Sequence, residues 1–125
     1  MSDRRFGYRV PLEMFLNEYV QDRLHRCLTT NLSETGLFVH KLHAAAIPRR
    51  RDALQLEFEL PGTGETIWAR GEIAYEARDD FFHGTGIRLA GIANLHARLL
   101  RDYVREKRKV QLSSLLDQIR RNRYH

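Results

Sequence analysis

The chain has 125 residues, a length that fits one domain, and its 42% hydrophobic and 30% charged residues suit a single core in a soluble protein. No apolar run approaches the ~20 residues of a membrane helix, so no membrane span is expected. The formal charge is +5, but nine Lys/Arg against three Asp/Glu lie from Ile92 onward, and twelve against thirteen lie before it. The excess belongs to the C-terminal end, and any claim about basic character applies there.

Arg4-Arg5-Phe6-Gly7-Tyr8-Arg9 opens the chain with three guanidiniums in six residues. The start, Met-Ser-Asp-Arg-Arg, has no signal-like apolar stretch, and Cys27, the lone cysteine, permits no internal disulfide; both point to the cytoplasm. With almost no apolar residues beyond Phe6 and Tyr8, the segment holding Arg4, Arg5 and Arg9 is expected to be flexible until a ligand orders it. Val10, Leu12, Met14 and Leu16 then alternate with polar positions as in a half-buried strand. After a turn at Gln21-Asp22, Leu24, Leu28 and Leu32 share one face, which leaves Asn31 and Ser33 together on the solvent face. Gly36 to Val39 is a short strand, followed by a loop from Lys41 to Asp52 that carries Arg49-Arg50-Arg51.

Leu54, Leu56, Phe58 and Leu60 give the clearest alternation, and Pro61-Gly62-Thr63-Gly64 marks a tight reversal. Ile67, Ala69, Gly71, Ile73 and Tyr75 form one face of a long strand, Arg78-Asp79-Asp80 a turn, and Thr85, Ile87 and Leu89 the inner face of a last strand. Six strands with short turns predict an antiparallel barrel or sandwich. From Ile92 the period becomes helical through Leu95, Leu99, Tyr103 and Val104. Lys107-Arg108-Lys109 interrupts it, and Ser113-Ser114 caps a second or continued segment with the stripe Leu112, Leu115, Leu116 and Ile119. The divisions are a switch segment 1–9, a barrel 10–91 and a helical segment 92–125. The stripe is expected to pack on the barrel or on the same segment of a second copy, giving a homodimer; an amphipathic partner-binding helix is the alternative.

Two strings carry chemistry. Arginine forks match a phosphate or the O6/N7 edge of guanine bidentately, and Arg5 and Arg9 flank a glycine that lets the backbone wrap a ligand. Crowded guanidiniums repel unless an anion lies between them. Asn31-Leu32-Ser33-Glu34-Thr35-Gly36 offers an amide, a hydroxyl and a glycine for close approach. Each string alone also reads as a solvated terminus or as turn chemistry.

Arg-x-x-x-Arg before the first strand, with Asn-x-Ser-x-x-Gly about two dozen residues later, resembles the PilZ domain. The resemblance covers residues 4 to about 105, including Gly71-Glu72-Ile73-Ala74-Tyr75 and Gly84-Thr85-Gly86-Ile87-Arg88-Leu89. It implies an all-β-dominated fold, a six-stranded antiparallel β-barrel with a C-terminal α-helix and helical extension, and a bacterial receptor for cyclic di-GMP, not an enzyme. By that likeness Arg5 and Arg9 grip guanine edges and phosphates, and Asn31, Ser33 and Gly36 form the barrel-side wall. Arg4 extends the motif to Arg-Arg-x-x-x-Arg, which in the family accompanies a stacked ligand dimer. Asn31 stands where many members have aspartate. Tyr75, where some relatives carry tryptophan, is read as a stacking platform or a core residue. The implied output is a ligand-dependent contact with an unidentified effector protein; a module acting without ligand, on motility or pilus machinery, is the alternative.

Other chemistry is weaker. His40 and His43 lack the further ligands of a metal site, so neither metal nor cofactor is expected beyond the cyclic di-GMP ligand. The Gly-x-Gly pairs do not make a phosphate loop, no spacing marks a catalytic triad, and Cys27 reads as packing. Nucleic acid ranks last as a partner, because the basic tail holds no reading motif.

Overall fold

The computed structural model describes residues 9–42, 54–78 and 82–123. Arg4, Arg5, the arginine run at 49–51, Asp79-Asp80, His43 and Tyr124 lie outside them. The described chain forms six strands and one helix: β1 (Val10–Val20), β2 (Arg23–Leu32), β3 (Gly36–Leu42), β4 (Leu54–Glu59), β5 (Thr66–Arg78), β6 (Phe82–Ile92) and α1 (Asn94–Arg123). The strands close into a barrel in the order β1-β2-β3-β6-β5-β4, every neighbour antiparallel. Closure runs through β1 and β4, with Asn17 opposite Glu57 and Val20 opposite Leu54. A closed barrel leaves no edge strand to template further pairing.

Local rules account for the turns. Gln21 and Asp22 both adopt positive φ, 49° and 65°, the two-residue hairpin geometry whose twist matches the flanking strands. At the next reversal, the Thr63 hydroxyl donates to the Leu60 carbonyl at 2.8 Å and accepts from the Glu65 N–H at 3.0 Å. The alternations read in β1, β4 and β5 bury Leu16, Leu54, Leu56, Phe58 and Ile67 inside the barrel. Leu100 and Val104 of α1 join that core, so the first half of the helix covers the barrel.

Three sequence expectations are corrected. In β2, Leu24 is 56% exposed and Leu28 half-buried, whereas Cys27 and Thr29 face inward. The register shifts between Thr29 and Asn31, and this bulge resets the phase so that Leu32 is buried while Leu24 is not. The Thr29 hydroxyl lies within hydrogen-bond distance of the Asn31 and Phe38 carbonyls, which anchors the bulge. Second, α1 runs unbroken for 30 residues. Lysine and arginine are good helix formers and no glycine or proline occurs within it, so Lys107-Arg108-Lys109 continues the helix. Third, Leu112, Leu115, Leu116 and Ile119 do not pack on the barrel; each is about half exposed.

Candidate ligand-binding site

The Asn31–Gly36 string forms the β2–β3 connection. Ser33 is only 1% exposed, because its side chain is consumed by the turn. Its Oγ accepts from the N–H groups of Thr35 at 3.2 Å and Gly36 at 3.0 Å, and lies 3.0 Å from the Gly36 carbonyl. Ser33 and Asn31 therefore do not stand side by side on a solvent face: the strand ends at Leu32 and the chain has turned. Gly36 is fixed by contact with β6, where an added Cβ would lie 2.5 Å from the Ile87 carbonyl oxygen. Leu89 N–H donates to the Thr35 carbonyl at 2.8 Å, so β6 and the turn are locked together.

Asn31 differs from Ser33. Its Oδ1 is enclosed yet has no hydrogen-bond partner among the described residues. A buried acceptor left unpaired costs about 1–3 kcal/mol, so it is suited to an incoming N–H donor.

Tyr75 lies across the barrel wall. A register shift between Ile73 and Tyr75 turns its ring outward, 40% exposed, which selects the surface position over the core one. Tyr75 and Phe38 are both cross-strand neighbours of Gly86, and their ring centroids are 5.8 Å apart. The Tyr75 ring lies on Gly86, where any Cβ would collide with it. Gly86 thereby lets an aromatic ring sit close against the sheet. It was readable only as a strand glycine marking close approach.

Arg9 reaches this platform from the head of β1. Its Nη1 donates to the Tyr75 hydroxyl at 3.4 Å, and it forms no ion pair with a described residue. Arg9, Tyr75, Gly86, Gly36 and Arg88 line a cavity of ≈ 230 Å³. Arg88 already pairs with Glu72, so among the described residues Arg9 is the guanidinium of this cavity without an ion pair. The volume is below the ~300–1,000 Å³ of sites that enclose a drug-sized ligand, and suits one base edge or phosphate group with the rest held from outside. Larger hollows are lined elsewhere by described residues. The larger, ≈ 430 Å³, is lined by Glu13, Glu57 and Glu59 against Arg26 alone, a setting that repels anions.

Of the residues singled out in the sequence, the structure brings Arg9, Gly36 and Tyr75 to one cavity. Asn31 joins the same band of wall through its register with Phe38, while Ser33 shapes the turn. Phe38, Gly86 and Arg88 are additions. Helix α1 touches the head of β1 and the second string: Gln111 Nε2 donates to the Pro11 carbonyl at 3.0 Å, and Arg105 Nε lies 3.9 Å from Glu34 Oε2.

The PilZ domain model matches residues 3–106. The chain belongs to the PilZ family. PilZ domains are receptor and adaptor modules. The Bacillus subtilis inhibitor of motility (MotI/DgrA) superposes with a TM-score of 0.74 at 18% identity, over 85% of this chain and 51% of that one. The PilZ domain of YcgR from Escherichia coli, solved with c-di-GMP, gives 0.65 at 15% identity over 90% and 98%. Borreliella burgdorferi PlzA in complex with c-di-GMP gives 0.57 at 17% identity over 82% and 42%. The chain thus spans about half the length of the Bacillus protein and nearly all of the Escherichia domain. Comparison with curated proteins gives no match. No helix of the described residues is long and apolar enough to cross a membrane.

Proposed function

We propose that this PilZ domain is a cyclic di-GMP receptor that signals through a ligand-dependent protein–protein contact. The observation that carries the reading is the Arg9–Tyr75–Gly86–Gly36 cavity, where an exposed aromatic ring adjoins an arginine without a carboxylate partner among the described residues. Two of the structural neighbours were determined with c-di-GMP, which is consistent with it.

The ligand is a dianion with two guanines. Arg9 leaves its long contact with the Tyr75 hydroxyl and takes up a phosphate or a guanine edge, a charge-assisted and stronger bond. Tyr75 then carries a base on its face. The Asn31 Oδ1 accepts a guanine N–H, and Gly36 permits close approach at the wall. Arg4 and Arg5 cover the remaining anionic groups from outside, with Arg4 serving a second, stacked ligand. Ordering the leading segment costs conformational entropy, which the new guanidinium bonds offset. The change reaches an effector through α1, tied to the barrel beside Pro11 and Glu34.

Calorimetric titration of the intact protein with cyclic di-GMP tests the reading. Saturable binding that is lost in Arg5→Ala and Arg9→Ala supports it; absence of binding, or equal binding by these variants, overturns it.

A further inference from the structure

The second half of α1 extends past the barrel and past residue 106, where the family match ends. It carries Leu112, Leu115, Leu116 and Ile119, each about half exposed. At about 100° per residue, the centre of this stripe lies roughly 90° round the helix from Leu100, Val104 and Gln111, which face the barrel. The stripe is therefore a second face with its own direction, not the barrel-facing face running off its support.

Its charge setting is one-sided. From 105 to 121 there are six Lys/Arg against two acidic residues. Arg108, Leu112, Leu116 and Arg120 follow one another at i, i+4, so cations close both ends of the apolar row. Glu106 and Asp117, the two carboxylates, fall on the far side of the helix by the same spacing.

We infer that this face is a docking surface for an amphipathic helix of a partner protein whose apolar side is edged with carboxylates. A second copy fits poorly. Parallel pairing sets Arg108 on Arg108 and Arg120 on Arg120, and antiparallel pairing centred between Leu112 and Leu116 brings Arg108 beside Arg120. A membrane surface is the competing occupant, since arginines beside leucines can snorkel to headgroups, and the vesicle arm of the test separates it from a protein helix. Carboxylates on a protein helix answer Lys109 and Arg120 at the edge of the stripe while its apolar side covers the leucines, the helix-in-groove mode with charge setting partner choice. The inference does not depend on what the barrel binds.

The test uses the full chain without cyclic di-GMP and a dye-labelled helical peptide with leucine at positions a and d and glutamate at e and g. Its counterpart with lysine at e and g is the control. Fluorescence anisotropy is expected to show binding of the glutamate peptide, none of the lysine peptide, and weakening with salt. Leu112→Ser with Leu116→Ser is expected to lower affinity at least roughly tenfold, as loss of central apolar anchors does. Those side chains are exposed, so the barrel folds as before, which circular dichroism verifies. Failure to bind the glutamate peptide, equal binding of the lysine peptide, a dimer by sedimentation, or stronger binding to phosphatidylglycerol vesicles than to the peptide would each overturn the inference.

Discussion

Two outer faces of the same barrel treat their polar groups in opposite ways. On the β1–β4 side, Asn17 Nδ2 donates to Glu57 Oε1 at 3.0 Å, the Tyr19 hydroxyl donates to the same oxygen at 3.3 Å, and Arg26 Nη1 donates to Asn17 Oδ1 at 3.4 Å. Donors and acceptors there answer one another. On the side formed by the end of β2 with β3, β6 and β5, Asn31 Oδ1 is enclosed without a partner among the described residues, and Arg9 reaches only a tyrosine hydroxyl. A closed network is a finished piece of structure, whereas unmatched donors and acceptors beside an aromatic platform form a place where something binds. Size alone points the other way, since the ≈ 430 Å³ hollow lies on the satisfied, acidic face and the ≈ 230 Å³ cavity on the other. Chemistry decides between them.

The comparison breaks first at the glycine that builds the open face. Gly36→Ala forces a Cβ onto the Ile87 carbonyl oxygen, and backbone cannot move aside as a flexible side chain does. About 3 kcal/mol of stability should be lost, read as a lower urea midpoint, with ligand affinity falling alongside. Arg9→Ala separates binding from folding. Removing an exposed charged donor should cost about 1.5–3 kcal/mol of cyclic di-GMP affinity by calorimetry, with the urea midpoint unchanged.

Tyr75→Ala removes the platform and should weaken the ligand by about 1–2 kcal/mol, a typical aromatic–base stacking contribution, while Tyr75→Phe retains it. The smallest effects belong to the satisfied face. Glu57→Gln should change stability by less than about 1 kcal/mol and leave cyclic di-GMP affinity unaltered.

That variant also tests a titration. Desolvation, then the Glu57 charge and its hydrogen bond, raise the Tyr19 pKa above 10.0. A raised folded pKa means the neutral phenol favours the fold. This contribution is present below the ordinary value and is lost as pH climbs through the raised one. In Glu57→Gln the tyrosinate absorbance should appear at lower pH, still above the ordinary value because desolvation remains the larger cause. An unmoved titration would remove Glu57 from the account of Tyr19.

The barrel was legible because Leu54 to Leu60 and Ile67 to Ile73 keep strict period two, and six such segments with short turns leave few architectures. What escaped was wherever an extra residue entered a strand. The bulge at Thr30 makes Cys27 and Thr29 inward neighbours, although Leu24 and Leu28 look more like core. The bulge before Tyr75 turns a ring outward that counting by two points inward. The same limit applies to Ser33: its residue type was right for a ligand hydroxyl, but the turn binds it first. Gly86 and Phe38 form the platform with Tyr75 only through cross-strand register, which no short string records. The long helix was half legible, because nothing in Lys107-Arg108-Lys109 breaks a helix once the first half is anchored by Leu100 and Val104.

The most direct test of the contrast between the faces is an NMR titration of isotope-labelled protein with cyclic di-GMP. The account predicts saturable shifts at the amides of Arg9, Asn31, Gly36, Tyr75 and Gly86, and none at Asn17, Tyr19 or Glu57. Saturable shifts centred on Glu57 and its neighbours, or none anywhere, would contradict it.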